Sequence, residues 1–165
     1  MRELDPKTLK ENVFHLFDDR WTLITAGTEE ACNTMTASWG GLGVLWHKPV
    51  ATIFVRPQRY TYEFLEKSDW FTLSFLPEEL REVLAYCGSA SGREVDKFAA
   101  CGIHPAFTEE GAPYVQEAEL VLVCRKRYWN DLDPANMDEL GLENYEARDY
   151  HRMYIGEIVR VLENY

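Results

Sequence analysis

Pro49-Val50-Ala51-Thr52-Ile53-Phe54-Val55-Arg56-Pro57-Gln58-Arg59-Tyr60-Thr61 is the stretch on which the reading of this chain turns. Its first half, Val50 to Val55, is apolar and rich in β-branched residues. Pro49 and Pro57 bound it and discourage continuation into a helix, so it predicts a strand. The second half delivers two fixed cations and a hydroxyl at that strand's end. Arg presents a planar charged fork and Thr a neutral donor, so Arg56, Arg59 and Thr61 together suit a phosphate. An Arg pair after a strand is also the ordinary make-up of a solvated turn.

Other strands are expected on both sides of this one. Trp21 to Gly27 is β-branched and aromatic and stops at a glycine, with Thr34 to Trp39 as its neighbour. Trp70 to Leu76 alternates apolar and polar in its middle, as a half-buried strand does, and Glu117 to Trp129 and Met153 to Leu162 complete the set. Between them, Thr61 to Lys67 reads as a short helix capped by Thr61, and Pro77 to Leu84 as a helix opened by Pro and two acids. Ser89 to Arg93 reads as a loop, followed by about two helical turns over Glu94 to Ala100. The acidic segment Asn130 to Arg148 is an excursion carrying one helical turn, either a solvated face or a cover over a site. Strands separated by short helices, without long crossover helices, favour an antiparallel barrel with helices outside. No Gly-x-Gly-x-x-Gly follows a strand, which disfavours a doubly wound dinucleotide fold.

The length of 165 residues fits one domain over 1–165, and 46% hydrophobic with 13% aromatic residues predicts a globular chain. A net charge of −11 argues against nucleic acid as a partner, since that requires clustered Lys and Arg. One small anion remains compatible with it, because a few local cations reverse the potential inside a cleft. Met1 to Lys7 shows no secretory or transit signal and no apolar stretch is long enough to span a bilayer, so a soluble, cytoplasmic protein is expected. Cys32, Cys87, Cys101 and Cys124 are irregularly spaced, without a Cys-x-x-Cys pair or a nearby His, and read as reduced thiols rather than metal ligands. His15 and His104 suggest no partner in the sequence. Trp46 is expected to tuck against the barrel, with roofing of a ligand pocket as the alternative.

Three separated segments share small, polar or cationic residues next to strand ends: Asn33 to Gly41, Arg56 to Thr61, and Ser89 to Phe98. Small residues let backbone approach a flat ligand, hydroxyls serve its oxygens, and Arg59 with Lys97 neutralises a phosphate. These segments suggest one cleft.

In their order and spacing, Asn33-Thr34-Met35-Thr36-Ala37-Ser38-Trp39, Arg56-Pro57-Gln58-Arg59-Tyr60-Thr61, Asp96-Lys97-Phe98 and the ending His151-Arg152-Met153-Tyr154-Ile155-Gly156-Glu157 resemble the flavin reductase-like family, flavoredoxins included. The resemblance runs from about Asn12 to the C-terminus. It implies a mainly β fold, a Greek-key split β-barrel with short helices, that binds FMN and is usually a homodimer. It implies that Thr36, Ala37, Ser38 and Trp39 line the isoalloxazine, that Arg56, Arg59 and Thr61 hold the phosphate, and that Ser91 and Lys97 close the other side. It also implies that His151 meets the hydride donor, NADH or NADPH. An acid often stands directly before that His in the family; here Tyr150 does, with Asp149 one residue earlier, which leaves an Asp–His pairing open.

The implied activity is hydride transfer from NAD(P)H to FMN, with electrons passed to free flavin, an acceptor protein or a small acceptor. Such chemistry belongs mainly to the cofactor, which accounts for a chain without a catalytic triad, paired carboxylates or metal box. The competing readings are a non-catalytic FMN-binding module of the same fold, and a related split-barrel oxidase of pyridoxal-type phosphates or a haem-binding relative.

Overall fold

Leu120-Val121-Leu122-Val123-Cys124 is buried along its whole length because its two faces meet two different cores. Leu120, Leu122 and Cys124 face one, with Ile24, Ile53, Val55, Phe71, Leu73 and Tyr154. Val121 and Val123 face the other, with Leu23, Leu84, Cys87, Phe98 and Val115. The period of two along a strand produces this division without any polar residue in the run.

The computed structural model describes residues 1–164. In chain order the elements are β1 (Arg2–Leu4), β2 (Thr22–Gly27), β3 (Cys32–Ala37), β4 (Gly40–Leu45), β5 (Lys48–Val55), α1 (Tyr60–Lys67), β6 (Trp70–Phe75), α2 (Arg81–Ser89), α3 (Lys97–Cys101), β7 (Pro105–Phe107), β8 (Pro113–Val115), β9 (Leu120–Asp131), α4 (Glu139–Leu142) and β10 (Arg152–Glu163). One antiparallel sheet runs β3-β2-β6-β9-β10-β5-β4, with β1 added to β10, and β7 pairs with β8 separately. The hairpins β2–β3 and β4–β5 therefore stand at opposite ends of the strand order, and the chain fills the space between them with β6, β9 and β10. The fold is mainly β with short helices, as expected.

Several details depart from the sequence reading. β4 was not foreseen, because Gly40-Gly41-Leu42-Gly43 lacks strand-forming side chains; its pairing with β5 supplies what propensity does not. β5 includes Pro49, which is tolerated because the ladder with β10 stops at Val50. The β6 strand is buried on both faces rather than one: Thr72 Oγ1 donates to the Pro113 carbonyl at 2.6 Å, and Ser74 Oγ accepts from the Val115 N–H at 3.2 Å. Its polar residues thus hold β8 instead of meeting water. The helix expected from Pro77 starts as a 3-10 turn at Glu78–Leu80 and runs on as α2 to Ser89. Residue Asp96 caps α3, so that helix begins later than the sequence suggests.

Gly156 is required by packing. A Cβ there would lie 2.6 Å from the Phe71 ring, at a place where the β9–β10 register also shifts. Trp46 and His47 form the tip between β4 and β5, both at positive φ, and Trp46 is exposed rather than tucked in. No helix among the described residues is long and apolar enough to cross a membrane.

Candidate functional site

The end of α2 is where the three segments meet. A helix C-terminus leaves its last carbonyls without helical partners and favours cations. Here Arg59 Nη1 donates to the Gly88 carbonyl at 2.9 Å and Nη2 to the Cys87 carbonyl at 3.2 Å. Lys97 Nζ donates to the same Cys87 carbonyl and to the Thr34 carbonyl, each at 2.9 Å. Asn33 Nδ2 donates to Thr61 Oγ1 at 2.9 Å, tying β3 to the first turn of α1. Gly92 completes the junction, since a Cβ on it would lie 2.2 Å from Asn33 Oδ1 and 2.8 Å from the Tyr60 ring.

Neither Arg59 nor Lys97 has a carboxylate partner among the described residues. Burial holds the Arg59 guanidinium below its ordinary value. Burial first, and the Arg59 charge second, push the Lys97 ammonium down to about 8. Two adjacent cations, Lys97 buried and Arg59 half-buried, are costly unless an anion completes them.

A cavity of about 280 Å³ opens beside this pair, lined by Met35 to Trp39, by Phe54, Arg56 and Arg59, and by His151. The four β3-side residues singled out in the sequence, Thr36, Ala37, Ser38 and Trp39, thus share one wall. Thr36 Oγ1 donates to the Leu84 carbonyl, which commits its proton and leaves its oxygen able only to accept. Thr61 is fully buried and outside this lining; it sits inside the first turn of α1, whose cap position is Arg59, not Thr61. Because its oxygen accepts from Asn33, its O–H proton remains available. Lys97 also lies behind the lining, 2% exposed. Ser91 is half-buried in the loop before α3, its hydroxyl accepting from the Arg93 N–H at 3.2 Å.

The acidic excursion folds back onto this cavity. Arg56 pairs with Asp149 at 2.9 Å, donates to the Asn144 carbonyl at 3.1 Å, and lies 5.0 Å from the Tyr145 ring centroid. Asp149 also accepts from Gln58 at 2.6 Å, and that bond leads the effects holding its carboxyl below the usual range. Asp149 is therefore engaged by Arg56 and Gln58, and His151 has another partner: its Nδ1 lies 2.6 Å from Tyr145 Oη. His151 is 7% exposed, not a solvent-facing strand residue, and burial, reinforced by Arg56, pushes its imidazole down to about 4. Tyr145 and Asn144 were not named as site residues from the sequence, where an aromatic within an acidic run was the available signal. Asp149 was considered only as a partner for His151, and it is held by Arg56 and Gln58 instead.

A larger cleft of about 800 Å³ lies elsewhere, between the turn at His15 to Arg20 and Leu76 to Leu84. Its cations are engaged: Arg20 pairs with Glu119 at 2.8 Å, and Arg81 donates to the Asp19 and Arg20 carbonyls while lying against Trp21. His15 and His104, without visible partners in the sequence, face Asp19 and Glu117. The four cysteines are free, with Cys87 Sγ and Cys101 Sγ 4.0 Å apart.

Comparison with known proteins gives a match of the flavin reductase like domain model to residues 14–164. An FMN-binding protein from Thermus thermophilus with bound p-hydroxybenzaldehyde superposes with a TM-score of 0.71 at 23% identity, covering 99% of this chain and 82% of that one. An NADH:FAD oxidoreductase from Streptomyces globisporus, in complex with NAD and FAD fragments, superposes with a TM-score of 0.65 at 21% identity, covering 87% of this chain and 74% of that one. At these identities the two structures show the shared fold. A high molecular weight rubredoxin of Moorella thermoacetica is 34% identical over 73 residues, which is 44% of this chain and 31% of that protein. The matched region thus spans about a third of the Moorella relative's length.

Proposed function

The chain belongs to the flavin reductase-like domain family, and from that premise we propose that it is an FMN-binding oxidoreductase that takes hydride from NADH or NADPH and passes electrons to flavin or another acceptor. The observation that carries the reading is the Arg59–Lys97 pair, two neighbouring cations held by main-chain carbonyls and lacking any acid partner among the described residues. The donor chemistry beside it fits a phosphorylated planar ring: a wall of small and hydroxyl residues, an aromatic at one edge, and guanidinium N–H groups still free. A cavity of about 280 Å³ is just below the span of whole small-molecule sites, roughly 300–1,000 Å³. It suits the ring portion of such a ligand with the phosphate at its open side.

In this reading Thr36, Ala37, Ser38 and Trp39 seat the ring, and the Thr36 oxygen accepts from a ring N–H. Arg56 and Arg59 hold the phosphate, while Thr61, fully buried behind the lining, braces the site through its bond with Asn33. Lys97, together with Ser91, supports the far side, Lys97 adding its charge from behind the lining. Arg56 is held in place by Asp149 and Tyr145, so less of its rotational freedom is lost on binding. FMN, when bound, supplies the hydride-accepting nitrogen; the protein supplies orientation, charge and exclusion of water. His151 faces the same cavity as a neutral imidazole and meets the donor nucleotide there. The name of the Streptomyces neighbour supports a nicotinamide donor, and that of the Moorella relative supports a protein among the acceptors.

Anaerobic mixing of the FMN-loaded protein with NADH or NADPH tests the proposal. Bleaching of the flavin absorbance is the expected result. A flavin that stays yellow with both donors makes the protein a binding module instead, and absence of FMN binding in a fluorescence titration removes the reading altogether.

A further inference from the structure

The His151 ring is gripped on three sides. Its centroid lies 5.2 Å from the Trp39 ring, 6.5 Å from Phe54 and 5.5 Å from Tyr145, the last two at near-perpendicular angles. It cannot turn without displacing one of them. Its Nδ1 is 2.6 Å from Tyr145 Oη, while its Nε2 has no hydrogen-bond partner among the described residues.

A phenol–imidazole bond has two senses. Either the phenol O–H donates to a bare Nδ1, which leaves the ring proton on Nε2, or an Nδ1–H donates to the phenol oxygen. The surroundings choose between them. Burial holds the phenol protonated. The His151 ring is the one hydrogen-bond partner of Tyr145 Oη among the described residues, so the phenol proton has no other acceptor there, and an Nδ1–H would leave that O–H unpaired.

We propose that Tyr145 is a positioning residue that fixes His151 as the Nε2–H tautomer, so that the cavity is offered a neutral N–H donor rather than an acceptor or a cation. Arg56 beside Tyr145, and Asp149 held by Arg56 and Gln58, are the charged groups facing this pair. Burial and Arg56 both disfavour a positive ring, against the weaker pull of Asp149, which keeps the donor uncharged well below neutrality. A neutral N–H in a wall beside an exposed Trp suits a carboxamide or carbonyl oxygen on a planar ring and gives no preference for a carboxylate. The choice of a nicotinamide as that ring rests on the function proposed above; the tautomer does not.

The tautomer is read in the full-length ligand-free protein, labelled with ¹⁵N at histidine, from two-bond ¹H–¹⁵N correlations at neutral pH. The chain has four histidines, and the His151→Gln spectrum identifies the signal that belongs to this one. The expected pattern is a protonated Nε2 and a bare Nδ1, and Tyr145→Phe is expected to bring the other tautomer into substantial population. A wild-type ring protonated at Nδ1, or a folded Tyr145→Phe protein that keeps the Nε2–H form alone, overturns the proposal. The wild-type spectrum decides even if the variant fails to fold. An FMN titration of the same wild-type sample separates the two claims, since loss of flavin binding with the Nε2–H pattern intact sinks the function and spares the tautomer.

Discussion

Arg160 sits among three carboxylates, with Glu3, Glu109 and Glu110 at 2.8 to 3.1 Å, whereas Arg59 sits among carbonyls. Both guanidiniums fasten distant parts of the chain: Arg160 joins β1 and the loop before β8 to β10, and Arg59 joins α1 to the end of α2. Their electrical outcomes differ. Around Arg160 the charge is more than cancelled, so that site has nothing left to offer an anion. Around Arg59 only dipoles satisfy the N–H groups, and Lys97 adds a second positive charge on the same Cys87 carbonyl. A carbonyl partner fixes a cation without neutralising it, and that separates a structural arginine from one that keeps its charge for a ligand.

The sharpest way to break this comparison is Arg59→Ala. Loss of a charge-assisted bond to the phosphate is expected to weaken FMN by about 1.5–3 kcal/mol, roughly ten- to 150-fold, in a flavin-fluorescence titration. Riboflavin, which has no phosphate, should lose far less. Equal losses for the two ligands would mean that the variant damages the fold of α2 rather than an anion clamp.

Lys97 sharpens the contrast through pH. Its ammonium falls from an ordinary 10.5 to about 8, by burial and then by Arg59. Between those values the unfolded chain holds a proton that the ligand-free folded chain has lost, so this group's contribution to stability rises with pH across that window; below about 8 both states are charged and the cost of burial is fully present. Anion binding runs the other way. A phosphate favours the charged ammonium, so FMN affinity should be highest below about 8 and fall by up to about tenfold per pH unit above it. Lys97→Met should bind more weakly and show a flat profile there. A wild-type profile that is itself flat above 8 would remove Lys97 from the anion's surroundings.

Much of this was legible in the chain because local chemistry announced it. The proline-bounded β5, the continuous apolar run of β9 and the Arg59 stretch each carry their signal within a few neighbouring residues. β4 carried none, since three of its six residues are glycines and its existence depends on the long-range ladder with β5. The burial of Lys97 was equally invisible: a lysine after a capping aspartate reads as surface, and only the arrival of the Thr34 and Cys87 carbonyls turns it inward. Tyr145 lies in an acidic segment whose composition suggests a solvated face, and only the fold brings it to His151 and Arg56. Spacing along a chain reveals elements, but a partner that comes from a remote loop leaves no local trace.

The smallest effect on binding is expected at Arg160, and there the comparison is most exposed. Arg160→Met leaves Glu3, Glu109 and Glu110 facing one another, and Glu110 already has one buried oxygen without a hydrogen bond. Thermal stability should therefore drop, and drop least in acid, where those carboxylates take up protons. FMN affinity should stay within about twofold of wild type, because Arg160 lies far along β10 from His151, roughly 30 Å at the rise of a strand, and a charge beyond a Debye length of about 8 Å at physiological salt is largely screened. If the affinity instead fell as far as in Arg59→Ala, the flavin would be responding to net charge as a whole. The distinction between a cation held by carbonyls and one held by carboxylates would then have no bearing on where the anion binds.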